Sequence, residues 1–149
     1  MKVFRADALQ DEDYDEIVTL LRSCGVIAFP TDTAYGLGAN PFAHAAIDRI
    51  FEVKGRPENK PILLLVDSVA MAESVAKPAH DFDKLVQRFW PGPLTVILTA
   101  AKSVPLKLTA GTQTVGVRWP MADFATNLVK RFGRPITATN SASQSSIFE

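Results

Sequence analysis

Short apolar runs alternate along this chain with stretches whose apolar residues recur at helical spacing, and that alternation restricts the fold more than any other feature. Asp11 or Asp13 can cap a helix that places Tyr14, Ile17, Val18 and Leu21 on one face, and Gly25 marks its end. Val26-Ile27-Ala28-Phe29 reads as a short buried strand, followed over residues 30–42 by a loop rich in Pro, Gly, Thr and Asn. A second helix is predicted from Ala43 to Val53 with Ile47, Ile50 and Phe51 inward, then an apolar strand from Pro61 to Val66. A helix through Phe82, Leu85, Val86 and Phe89 comes next, then strands over Leu94–Thr99 and Thr114–Trp119. Met121–Phe132 reads as a helix and Pro135–Thr139 as a last strand. Strands interleaved with helices predict the α/β class. Irregular spacing and Pro-rich joints predict a mixed twisted sheet in place of a doubly wound one.

The length of 149 residues suits one domain over 1–149, and 47% hydrophobic residues supply a core that a disordered chain lacks. Sixteen basic and sixteen acidic side chains cancel, which argues against a protein that holds nucleic acid by bulk charge and leaves a local basic patch open. Cys24 is the single cysteine, so no internal disulfide can form. With only His44 and His80 beside it, a zinc site is disfavoured, and no metal ligand is assigned. The opening MKVFRADALQDEDYDE has no apolar signal core, and no apolar run approaches the roughly 20 residues of a membrane helix. A cytoplasmic protein is the expectation.

The densest chemical signal is Pro30-Thr31-Asp32-Thr33-Ala34-Tyr35-Gly36-Leu37-Gly38, directly after a predicted strand. It displays three short oxygen-bearing side chains and a tyrosine on a loop, where sites are commonly built. The plain alternative is a turn capped by Asp32. Gly36-Leu37-Gly38-Ala39-Asn40-Pro41 imitates a dinucleotide fingerprint, but Pro41 occupies the third small-residue place and no acidic residue ends a following strand. No GxxxxGK[ST] loop is present. Lys54-Gly55-Arg56-Pro57 ends the second helix, where cations gain from the helix dipole. Gly55 and Pro57 turn the chain off the helix, so a point-charge Lys54 and a forked Arg56 can also converge on polyphosphate oxygens. In Phe89-Trp90-Pro91-Gly92-Pro93-Leu94-Thr95 the indole reads as core packing. Arg118 follows an apolar strand and precedes Trp119-Pro120. It serves either as a solvated edge charge or as a clamp for a carboxylate.

Taken in order, PTDTAYGLG, FEVKGRP, FWPGPLT, VGVRWP and PITAT resemble the YrdC-type threonylcarbamoyl-adenylate synthase family over about residues 14–142. The resemblance implies an α/β domain whose twisted sheet, flanked by helices, lines a concave basic cavity. It implies condensation of L-threonine, bicarbonate and ATP, the last with Mg²⁺, to threonylcarbamoyl-AMP and pyrophosphate. A partner transferase would then carry the threonylcarbamoyl group to tRNA. On the matching positions, Thr31, Tyr35 and Arg118 would bind threonine, and Lys54 and Arg56 would bind the ATP phosphates and carry the catalysis.

Two departures stand against the family pattern. A Ser-x-Asn motif that contacts ATP normally follows the PITAT strand, whereas this chain reads Thr139-Asn140-Ser141-Ala142-Ser143, which leaves Asn140 and Ser141 as the ATP-binding candidates. The family domain also continues past the point corresponding to Glu149 with a helix, strands and a Ser-Thr segment. An open sheet edge, and with it a homodimer or a fold-completing partner, is therefore expected. The competing functional reading is a non-catalytic RNA- or tRNA-binding or regulatory module that kept the surface and lost the chemistry. A carbamoyl-adenylate site like that of the hydrogenase-maturation carbamoyltransferases ranks behind both.

Overall fold

The computed structural model describes residues 2–32, 35–54 and 62–140. Helix α1, Asp11–Arg22, buries Tyr14, Ile17, Val18 and Leu21, the predicted stripe. Its cap differs from expectation: Gln10 is the N-cap residue, and its N–H donates to Asp13 Oδ2 at 2.9 Å. Asp13 therefore closes the first turn from inside the helix, as the acid of a capping box does. At the other end the left-handed residue is Cys24, at φ 67°, not Gly25. Gly25 is needed for a different reason: a Cβ there would sit 2.5 Å from Leu20 Cγ.

Strand β1, Ile27–Pro30, turns back into β2, Tyr35–Gly38, with Ile27 opposite Gly38 and Pro30 opposite Tyr35. Five residues of the predicted loop, Pro30 and Tyr35–Gly38, are thus strand. Glycine weakens an isolated strand, but here the missing side chain is what lets the hairpin pack. A Cβ on Gly38 would stand 2.6 Å from Phe29 Cε1 and 3.2 Å from Ile136 Cγ2.

The remaining elements are α2, His44–Lys54; β3, Leu63–Leu65; α3, Val69–Val75; β4, Ala76–Lys77; α4, Phe82–Phe89; β5, Val96–Ala100; α5, Leu106–Thr109; β6, Thr114–Arg118; α6, Asp123–Phe132; and β7, Ile136–Asn140. They form one mixed sheet in the order β1-β2-β7-β3-β6-β5-β4, in which β3 and β6 run parallel and every other neighbouring pair is antiparallel. The predicted mixed α/β sheet is what forms. The short α3, β4 and α5 carry too little periodicity to be read from sequence.

Side chains alternate across the sheet, so neighbouring residues serve different cores. Leu64, Val66, Val96, Leu98, Val115 and Val117 pack with Ile47 and Ile50 of α2 on one face. Phe29, Leu65, Ile136 and Ala138 pack with α1 and α6 on the other, through Leu21, Leu128 and Val129. Burying each such side chain is worth roughly 1.5–3 kcal/mol. In α4 the buried stripe is Phe82 and Val86, continued by Trp90, while Leu85 and Phe89 are exposed, contrary to the predicted face. Trp90 is core packing as read: its ring meets Phe82 edge-on at 5.8 Å, and its Nε1–H donates to the Leu94 carbonyl at 2.8 Å.

Candidate functional site

Strand β6 lies inside the sheet between β3 and β5, and its last residue is Arg118. Val115 and Val117 point to the α2 side, so alternation turns Gly116 and Arg118 to the face that α1 and α6 occupy. On that face α1 and α6 cover Leu65 and Ile136, yet Ile97 on β5 is 48% exposed. Arg118 therefore stands where the covered half of the face gives way to an open floor. Gly116 forms the low point of that floor: a Cβ there would meet Thr95 Cγ2 at 3.2 Å, Ile97 Cδ1 at 3.4 Å and Leu63 Cδ1 at 3.6 Å.

Arg118 is only 3% exposed, which excludes the solvated edge charge. Its Nη2 donates to Asp32 Oδ1, and Asp32 Oδ2 accepts a hydrogen bond from the Met121 N–H at 3.2 Å. Burial pushes the Arg118 guanidinium down from its ordinary value. Arginine starts so high that it stays a cation at neutral pH. A desolvated cation needs a counter-charge, and the Asp32 carboxylate supplies one. The Arg118 guanidinium is thus engaged by a carboxylate of the chain itself. Asp32 reaches beyond its own turn: its carboxylate accepts from Arg118 and from the Met121 N–H, across the molecule. Sequence reasoning assigned Asp32 no role beyond that turn. The only available signal was its place between Thr31 and Thr33 in a loop already singled out.

Thr31 and Tyr35 flank the turn. Thr31 leaves β1 just before Asp32 and is half-buried, while Tyr35 pairs with Pro30 and is 60% exposed. The next residue, Gly36, lies opposite Asn140, so the hairpin mouth and the end of β7 share one corner of the sheet. Next to Asn140, Thr139 is buried and its Oγ1 has no hydrogen-bond partner among the described residues. The same holds for Thr95 Oγ1 at the floor beside Gly116. Such hydroxyls are candidate ligand contacts that spacing alone did not reveal. Lys54 is the last residue of α2, as expected for a cation at a helix C-terminus. Arg56 and Ser141, and the side chain of Asn140, lie outside the described residues. The structure therefore brings together Thr31, Asp32 and Arg118, and separately Tyr35, Gly36 and Asn140.

This geometry has known counterparts. A protein-family model named for Sua5, YciO and YrdC, and described as telomere recombination, matches residues 19–147. A threonylcarbamoyl-AMP synthase of Pyrococcus abyssi (strain GE5 / Orsay) is 43% identical over 119 residues, which is 79% of this chain and 35% of that protein. One from Bacillus subtilis (strain 168) is 39% identical over 130 residues, 86% of this chain and 38% of that protein. The chain thus spans little more than a third of the length of these two relatives. A crystal structure of P. abyssi Sua5 complexed with L-threonine superposes with a TM-score of 0.85 at 38% identity, covering 89% of this chain and 39% of that one. The ordered motifs, the mixed sheet and these matches agree: the chain belongs to the Sua5/YciO/YrdC family.

Proposed function

We propose that this chain carries a threonylcarbamoyl-AMP synthase site, a nucleotidyltransferase that condenses L-threonine, bicarbonate and ATP and releases pyrophosphate. The observation that carries the reading is the buried Arg118 cation, held beside the Thr31 turn, in a chain that aligns with synthases of that name. A forked guanidinium suits the threonine carboxylate, and a hydroxyl and a phenol at Thr31 and Tyr35 suit its polar groups. Lys54 and Arg56 are assigned to the ATP phosphates, and Asn140 and Ser141 to the nucleotide.

The chemistry needs positioning and charge more than a reactive side chain. Carboxylation of the threonine amine by bicarbonate gives N-carboxy-threonine with loss of water. Its carboxylate attacks the ATP α-phosphorus, and the bond to pyrophosphate breaks. Negative charge grows on the departing pyrophosphate, where fixed cations such as Lys54 and Arg56 stabilise it most. The incoming carboxylate is already a nucleophile, so the scheme requires no general base at that step. Mg²⁺ would arrive on the ATP phosphates, and such ions are held through one or two carboxylates plus phosphate, not by an all-protein cage. The product's threonylcarbamoyl group would pass to tRNA through a partner transferase.

Incubation with ATP, Mg²⁺, bicarbonate and L-threonine tests the reading. Pyrophosphate release that requires both threonine and bicarbonate is the expected result. No release from a protein shown to be folded by circular dichroism would overturn it.

A further inference from the structure

We propose that Asp32 is a positioning residue, which fastens the β1–β2 turn across the sheet and so sets Thr31 and the Arg118 guanidinium at the separation an amino-acid carboxylate requires. The inference rests on the reading of the site given above.

The topology makes this contact unusual. Three strands, β2, β7 and β3, separate β1 from β6 in the sheet. A bond from the residue beyond Thr31 to the last residue of β6 must therefore be made over the face of the sheet, not along it. Both carboxylate oxygens take part: Oδ1 accepts from Arg118 Nη2, and Oδ2 accepts from the Met121 N–H in the joint between β6 and α6. Asp32 thus holds the turn to a side chain and to a backbone at once. The Asp32 side chain is 15% exposed and that of Arg118 4%, so the pair sits in a partly desolvated environment where a charge-assisted hydrogen bond is strong.

Anchoring of the hairpin itself does not need this bond. β2 is already paired with β7, and Phe29 of β1 is already buried between Ile136, Ala138 and the α1/α6 layer. What Asp32 adds is the position of the turn alone, the segment that carries Thr31. The length of the side chain matters for the same reason. Asparagine retains the shape and loses the charge; glutamate retains the charge and pushes the turn away by a methylene.

The test uses the 149-residue chain with Asp32→Asn, Asp32→Ala and Asp32→Glu. Threonine and ATP binding are measured separately by calorimetry, and amide exchange is followed at Met121. The expected result is threonine affinity about tenfold to a hundredfold weaker in Asp32→Asn and Asp32→Ala. Asp32→Glu should recover part of it, ATP affinity should be unchanged, and Met121 exchange should be faster in Asp32→Ala. If Asp32→Ala does not fold, Asp32→Asn carries the comparison. Equal losses for threonine and ATP would assign Asp32 to the fold alone and overturn the proposal. So would unchanged threonine affinity in a folded variant whose parent binds threonine, or unchanged Met121 exchange. A parent that binds no threonine removes the reading of the site, and the positioning role with it.

Discussion

At the scale of single residues, the contrast between Trp90 and Lys54 separates packing from chemistry. Trp90 is buried, meets Phe82 edge-on and donates to the Leu94 carbonyl. Trp90→Phe should remove that hydrogen bond and some ring contact, costing about 1–2 kcal/mol in urea denaturation, and should leave pyrophosphate release unchanged. Lys54→Ala and Arg56→Ala should do the reverse. Each should abolish threonine-dependent pyrophosphate release, and for Lys54→Ala the urea midpoint should stay near that of the parent, because a cation at a helix C-terminus contributes only about 0.3–1 kcal/mol. Near-normal turnover in either variant would remove it from the phosphate site. Residue type and spacing drew attention to Thr31, Tyr35, Lys54 and Arg118, since forks, point charges and hydroxyls are legible as letters, and the family resemblance supplied the roles proposed for them. Asp32 was not, because a carboxylate in a turn is so often satisfied locally that nothing in its neighbours announces a partner 86 residues away.

At the scale of elements, helices with a sustained stripe were readable and short or glycine-rich ones were not. Tyr14, Ile17, Val18 and Leu21 disclose α1, whereas Tyr35-Gly36-Leu37-Gly38 conceals β2 because two of its four residues have no side chain. The glycines encode packing, and packing is visible only once Phe29 and Ile136 are in place. Gly38→Val should therefore cost at least the roughly 1–3 kcal/mol of an overpacked core, read as a lowered thermal midpoint. The pair α1 and α6 supplies a second test. Arg131 Nη2 donates to Asp11 Oδ1 at 2.6 Å, but that carboxylate is 81% exposed, while Leu128 beneath is 1% exposed. Leu128→Ala should cost about 2–5 kcal/mol, and Asp11→Ala should leave the urea midpoint almost where it was.

At the scale of the molecule, the sheet is the shared wall of two cores. Leu64 and Leu65 of β3 face opposite layers, so neither layer can open without exposing that strand. Amides of β3 and of its neighbours β6 and β7 should exchange slowest with solvent, and those of the two-residue edge strand β4 fastest. Comparable rates across all of them would mean that exchange proceeds only through unfolding of the whole sheet. The α/β class followed from the alternation of elements and the mixed character from irregular spacing and Pro-rich joints, but the strand order did not, because β7 enters between β2 and β3, far from its neighbours in sequence.

That late insertion has a consequence for how the chain is born. The β1–β2 hairpin is made early, but its seat in the sheet is β7, which leaves the ribosome after the other six strands of the described sheet. Until residues 136–140 emerge, the nascent protein holds a hairpin and a separate four-stranded piece with no strand between them. Closure of this sheet therefore has to wait until translation has passed residues 136–140, and the loop that carries Thr31 is assembled into place only then.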